Sequence, residues 1–221
     1  MQELYIDSVD HRYGDKQVLN GMYLTCKVGE RVGLLGRNGS GKSSLLKIIF
    51  GSLNPHHKFM KINDEFTTKG YLTNKISYLP QGFFIPHYLK IKELIALYIN
   101  RYKEQVLKIE VIKTHQEEEI GNLSGGNRRL VEALLIIYSD SQFILLDEPF
   151  SQLAPLVADE LKFHIHQLKG EKGFIITDHY YQQILDIADR VVLLHNGSNY
   201  AISCEDDLRL YGYLPLNSFI V

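Results

Sequence analysis

Eight consecutive residues, Gly36-Arg37-Asn38-Gly39-Ser40-Gly41-Lys42-Ser43, have the types and spacing to hold a polyphosphate. Gly36, Gly39 and Gly41 lack a Cβ, so the backbone can take left-handed angles and turn its N–H groups onto an anion. Lys42 is long enough to reach β- and γ-phosphates, and the Ser43 hydroxyl can ligate Mg²⁺. The spacing is that of G-x-x-x-x-G-K-[ST], a pattern with meaning only between a strand and a helix. Both flanks are present. Val32 to Leu35 is an apolar run that reads as a buried strand, and Lys42 to Ile49 reads as a helix. The helix adds free N–H groups and the positive end of its dipole, with Ser44 in its first turn. The expectation is a nucleoside triphosphate site.

Two further stations carry chemistry. Phe143-Ile144-Leu145-Leu146 is an apolar strand ending in Asp147 and Glu148. The end of a buried parallel strand is where α/β proteins place ligands. Asp147 suits a hard cation, directly or through water, and Glu148 can polarise an attacking water as a general base. The third station, Leu123-Ser124-Gly125-Gly126-Asn127, opens a helix. Ser124 is a good N-cap, and two glycines with an exposed hydroxyl at a helix N-terminus also make an anion site. By contrast, Glu117-Glu118-Glu119 reads as a solvated surface rather than a metal site.

The elements needed to position these groups are legible along the chain. Leu4 to Val9 alternates like a half-exposed strand, and His11 to Asp15 is a turn cluster. Val18-Leu19 and Tyr23 to Val28 read as short strands joined by an Asn20-Gly21 hairpin turn. Lys58 to Ile62 and Ile76 to Leu79 are strand candidates on either side of a polar connection. From Leu89 the period becomes helical, so residues 82–139 read as a helical block inserted into an α/β core of residues 1–81 and 140–221. The core resumes with strand 143–146, helix 154–168, strand 174–177, helix 180–188 and strand 191–194. The Asn196-Gly197 turn then leads to a last strand near 200–202. This alternation implies a parallel sheet covered on both faces.

The 221 residues suit one large α/β domain. A formal net charge of −2 gives no electrostatic footprint for nucleic acid. Two distant cysteines, Cys26 and Cys204, read as reduced thiols. The N-terminal residues have neither a basic nor a long apolar region, so no signal peptide is expected. No apolar run approaches the about 20 residues that a spanning helix needs. Action at a membrane therefore requires a partner.

Taken together and in order, these stations resemble the ATP-binding cassette (ABC) ATPases over essentially the whole chain. The resemblance assigns Tyr13 as the adenine-stacking aromatic, Gly36 to Ser43 as Walker A, Gln81 as the Q-loop glutamine and Leu123 to Asn127 as the signature. Phe143 to Glu148 is then Walker B with its catalytic glutamate, and His179 is the switch histidine after Thr177-Asp178. It implies a P-loop NTPase fold of ABC type, with an N-terminal antiparallel β subdomain and an inserted helical subdomain. It also implies ATP and Mg²⁺ as cofactors, with Ser43, Gln81 and Asp147 at the metal. Two cassettes would pack head to tail, so that Ser124, Gly125 and Gly126 meet the γ-phosphate held by the opposite subunit. Gln81 would relay closure to an integral-membrane permease on another polypeptide, and His179 would hold the γ-phosphate. The second cassette is expected to be a copy of this chain, the location the cytoplasmic face of a membrane, and nucleic acid is not an expected partner.

Two positions depart from the family pattern. The signature ends in Asn127 rather than Gln, which keeps the amide on a shorter arm. The D-loop, usually Ser-x-Leu-Asp, reads Ser151-Gln152-Leu153-Ala154, and Ala154 cannot make the charged contact of the usual Asp. An alternative function is a soluble ABC regulator or clamp, but such relatives usually carry paired cassettes or long coiled-coil insertions. An ATP-binding module with poor catalysis is the third reading, opposed by Glu148 and His179.

Overall fold

The computed structural model describes residues 2–151 and 153–215. Met1 of the N-terminal reading and Gln152 of the D-loop lie outside the described residues.

The chain opens with two long strands, β1 (Glu3–Tyr13) and β2 (Lys16–Lys27), then β3 (Arg31–Leu35) and helix α1 (Lys42–Phe50). Strands β4 (His57–Ile62), β5 (Glu65–Phe66) and β6 (Ile76–Leu79) follow. The helical stretch comprises α2 (Ile91–Tyr98), α3 (Lys103–Val106), α4 (Glu110–His115) and α5 (Gly125–Ile137). Next come β7 (Phe143–Asp147), α6 (Pro155–Gln167), β8 (Gly173–Thr177) and α7 (Tyr181–Ile187). The described chain ends with β9 (Arg190–His195), β10 (Ser198–Ile202) and α8 (Glu205–Leu210).

Among the described residues the strands form two sheets, ordered β2-β1-β4-β5 and β10-β9-β3-β8-β7-β6. The first is antiparallel. In the second, β9 to β6 run parallel and β10 joins the edge antiparallel to β9. The parallel strands are buried on both faces, and their side chains divide with period two. Phe143 and Leu145 pack with Leu45, Ile48 and Ile49 of α1 and with Leu4, Met22 and Leu24 of the antiparallel sheet. Ile144 and Leu146 pack on the other side with Leu134, Leu161 and Ile184 from α5, α6 and α7. The helix α1 is thus sandwiched between the two sheets, which fixes the loop at its N-terminus. Gly33 is required by α7: a Cβ there would come within 2.2 Å of Ile184 Cγ2.

Two sequence expectations need correction. Asn20-Gly21 is not a hairpin turn but an interruption within β2. Leu19 pairs with His11 and Met22 with Val9, so both halves pair with the same strand in the same direction and two residues bulge opposite Asp10. Gly21 takes φ of 62° there and donates its N–H to Asp10 Oδ1 at 2.9 Å. The hairpin turn is Gly14-Asp15, with β1 running on through Tyr13, beyond the start of the expected turn cluster. Helix α8 was not expected. Three acidic residues occupy its first turn, and Asp207 Oδ2 accepts from the N–H groups of Ser203 and Cys204. Cys26 is buried, Cys204 is exposed, and both are free thiols. Glu117 and Glu118 are exposed and pair with Lys92 and His115.

Candidate functional site: a phosphate loop facing four strand ends

Strands β3, β8, β7 and β6 lie side by side and parallel, so their C-terminal ends share one rim of the sheet. Each delivers one station: the glycine loop after β3, Thr177-Asp178-His179 at β8, Asp147-Glu148 at β7, and Gln81 just past β6. This is the sheet edge at which parallel α/β folds bind ligands.

The loop is shaped by its glycines. Gly39 and Gly41 take φ of 75° and 108°, and a Cβ on Gly41 would meet Val18 Cγ1 at 2.7 Å. The Lys42 side chain curls back under the loop, and its Nζ donates to the carbonyls of Gly36 at 2.7 Å and Arg37 at 3.4 Å. Lys42 is buried and makes no ion pair among the described residues. Burial lowers its pKa, against the opposing pull of Glu148, Asp147 and Asp178. A buried ammonium satisfied only by carbonyls, in a cradle of free backbone N–H groups, is matched to an incoming anion.

Asp147 is 1% exposed and saturated with donors. Oδ1 accepts from Ser43 Oγ at 2.9 Å and Thr177 Oγ1 at 3.0 Å, and Oδ2 accepts from Tyr78 OH at 3.0 Å. Burial, then the charge of Asp147, raises the pKa of Tyr78, so it stays a donor. Ser43 and Asp147 together offer two hard oxygen ligands side by side, a donor set that fits Mg²⁺. Gln81, the third expected metal residue, is engaged elsewhere: its Nε2 donates to Glu148 Oε2 at 2.6 Å.

Glu148 is the focus of the site. Its Oε1 lies 2.7 Å from His179 Nε2, so the carboxylate is clasped between His179 and Gln81. Its backbone takes φ of 52°, unusual for a residue with a Cβ. That geometry is held by its N–H, which donates to the carbonyl of Thr177 at 3.1 Å and to Thr177 Oγ1 at 3.0 Å. Arg129 of α5 adds support by donating to the carbonyls of Pro80, Asp147 and Glu148. Asp178 accepts from the N–H groups of Phe150 and Tyr180, and burial raises its pKa.

These groups surround a cleft of about 400 Å³. Of the residues singled out in the sequence, Tyr13, Asn38, Gly39, Gly41, Lys42, Ser43, Ser44, Gln81, Glu148 and His179 line it, while Gly36 and Asp147 do not. Tyr13 is half exposed, and its hydroxyl lies 3.2 Å from Ser44 Oγ. Arg37 and Ser40 lie on the far side of the loop, where Arg37 donates to the carbonyl of Gly212. The signature does not join this cleft. Ser124 is exposed at the N-cap of α5, accepting from Asn127 N–H at 3.3 Å, and Cβ atoms on Gly125 or Gly126 would meet only open space. Gly125 lines an adjoining groove of about 440 Å³ together with Gln81, Glu148 and His179. Sequence reasoning missed Lys16, Val18, Tyr78, Arg129 and Thr177. Polar Thr177 at the end of the otherwise apolar, buried β8, and Arg129 beside the apolar stripe of α5, were the available signals; Tyr78, next to Ser77 in the half-buried β6, gave none.

A glycine loop between strand and helix, facing an acidic strand end across a cleft, defines a P-loop nucleoside triphosphatase. Residues 19–151 match the family described as ABC transporter, and the chain belongs to that family. The matched stretch contains Walker A, Gln81, the signature and Glu148 but neither Tyr13 nor His179. The chain is 29% identical over 230 residues to a probable sulfate/thiosulfate import ATP-binding protein of Chlorella vulgaris, covering 98% of this chain and 96% of that one. It is 30% identical over 213 residues to the lipopolysaccharide export system ATP-binding protein of Haemophilus influenzae, covering 89% and 88%. Among solved structures it resembles the ATP-binding subunit of an ABC transporter with a TM-score of 0.83 at 23% identity, covering 96% and 95%. The chain is an ATP-binding ATPase of ABC type, coupled to transport. Subunits of this class dimerise and work with membrane permease components. No helix among the described residues is long and apolar enough to cross a membrane.

Proposed function

We propose that this chain hydrolyses ATP at a site shared between two copies of itself, with closure of the pair driving a separate permease. The observation that supports the reading is the pairing of two poised groups across one cleft. One is the buried, carbonyl-bound Lys42, and the other is Glu148 clasped by Gln81 and His179.

In this reading Tyr13 stacks on adenine, and residues 36–44 cradle the phosphates, Lys42 exchanging its carbonyl contacts for phosphate oxygens. Ser43 and Asp147 would hold Mg²⁺, which when bound would neutralise phosphate charge. The Gln81 amide, released from Glu148, reaches the same region. Glu148 then accepts a proton from the attacking water, and His179 steadies the γ-phosphate. Ser124, Gly125 and Gly126 of the second copy supply hydroxyl and N–H donors from the other side, an office performed elsewhere by an arginine finger.

The core of residues 1–81 and 140–221 carries the chemistry, and the block 82–139 holds the permease. A groove of about 720 Å³ lies between Phe50, Tyr71 and Tyr78 on one side and Phe84, Leu97 and Tyr98 on the other. Its wall includes Pro80, next to Gln81, so an apolar permease segment seated there would sense the state of the site. Cargo and direction are set by that permease.

Glu148→Gln tests the reading. It keeps the shape of the side chain and removes the base, so turnover should fall about 100-fold or more while ATP binding persists. The variant should elute as a dimer on size-exclusion chromatography with ATP and Mg²⁺. Elution as a monomer at saturating nucleotide would sink the two-copy site.

A further inference from the structure

Away from the nucleotide cleft, α3, α4 and α6 border an open surface groove of about 610 Å³. Glu160, Phe163, His164 and Gln167 line it, and their spacing places them on one face of α6. His164 is only 6% exposed. Its Nδ1 lies 2.8 Å from the Tyr138 hydroxyl, which in turn donates to Gln167 Oε1 at 3.1 Å. A phenol has one proton to give. With that proton on Gln167, the imidazole must donate from Nδ1, and Nε2 is left as a lone pair with no partner among the described residues. Burial lowers the pKa of His164 and keeps the ring neutral.

Glu160 makes no hydrogen bond or ion pair among the described residues, and burial raises its pKa. An unpaired carboxylate and a solvent-accessible imidazole lone pair thus border one groove beside the rings of Phe163 and Tyr138. Acceptors beside aromatic faces are the recognition chemistry of an ammonium group. Glu110, Glu171 and Lys108 also line the groove; Glu171 is already paired with Arg101 and Tyr102, so Glu160 is the carboxylate there left without a partner among the described residues.

We propose that this groove binds a small organic ammonium ion with an apolar body. Its N–H donors are shared between the Glu160 carboxylate and His164 Nε2, and its body lies against Phe163 and Tyr138. The site is separate from the residues that meet ATP and does not depend on their assignment.

The test is titration of the full chain with 2-phenylethylammonium, followed by calorimetry and by the imidazole signals of His164. Saturable binding is expected, with the His164 signals shifting in step. Glu160→Gln, at a side chain that holds no partner, should weaken binding about tenfold, the loss of one charge-assisted hydrogen bond. The same variant should leave basal ATP turnover unchanged. Phenylacetate, of similar shape and opposite charge, should not compete. Absence of saturation by about 10 mM, undiminished binding in Glu160→Gln, or equal binding of phenylacetate would each overturn the proposal.

Discussion

Thr177 shows how much one hydroxyl does in this site. Its Oγ1 donates to Asp147 and accepts from the N–H of Glu148, joining the two carboxylate residues whose positions matter most. Thr177→Val keeps the shape and removes both bonds. We expect a stability loss of about 1–3 kcal/mol from the polar groups left short of partners. Turnover should fall about tenfold at little-changed KM for ATP, because Glu148 loses its fixed aim. Denaturant melts and steady-state kinetics measure the two. Lys172 makes a different prediction. It is 2% exposed, donates to the carbonyls of Ser139 and Ser141, and burial lowers its pKa from 10.5 to about 8. Between those values the unfolded chain binds more protons than the folded one, so Lys172 makes stability rise with pH from about 8 to 10.5. Below pH 8 both states hold the proton, and its charge is a standing cost. Lys172→Met should flatten that rise in melts taken from pH 7 to 10; an unchanged slope would remove Lys172 as its source. At this scale the sequence displayed Lys42, Asp147 and Glu148 through spacing alone. Thr177 and Tyr78 stayed hidden because their roles depend on which strands are neighbours in space.

Helix α6 carries the departure at Ala154. That residue sits at the N-cap with φ of −64° and ψ of 150° and provides no side-chain bond to the open N–H groups, while Pro155 occupies the first turn. Asp at an N-cap with these angles accepts from the second or third helical N–H and favours the positive end of the dipole. Ala154→Asp should therefore stabilise the chain by about 0.5–2 kcal/mol, read as a higher midpoint in urea. The same change should raise the ATPase rate of the assembled pair if the carboxylate restores a contact across it. A gain in stability with no gain in rate separates the local effect from the cross-subunit one and rejects the latter. The elements themselves were largely legible. The burial of β7 and β8 on both faces follows from their continuous apolar runs, and the end of α1 at Gly51 from its glycine. The bulge at Asn20-Gly21 was not, because an Asn-Gly pair looks alike in a hairpin and in a bulged strand. Only the partner strand β1, continuous past both halves, decides between them.

At the scale of the whole molecule, the separation of the two anion stations is what matters. Ser124, Gly125 and Gly126 stand on an exposed helix tip, and neither Ser124 nor Gly126 lines the cleft formed by their own phosphate loop. Gly125 borders Glu148 and His179 of its own chain, but Ser124 and Gly126 do not line the cleft that holds Lys42, whereas a second copy turned head to tail would bring them a phosphate. This geometry makes a prediction that no single-chain site can imitate. Lys42→Ala destroys the cradle and keeps the helix tip; Ser124→Arg blocks the tip and keeps the cradle. Each variant alone should be inactive. Mixed, the two can form a pair in which the cradle of one meets the intact tip of the other, leaving one good site and one doubly damaged site. Equal amounts pairing at random should recover about a quarter of the wild-type rate, since half the pairs are mixed and each has one of two sites intact. The recovered rate should also depend on total protein concentration, because it requires association. A mixture no more active than its components would show that cradle and tip need not come from different copies, and the proposed engine would fail on that result.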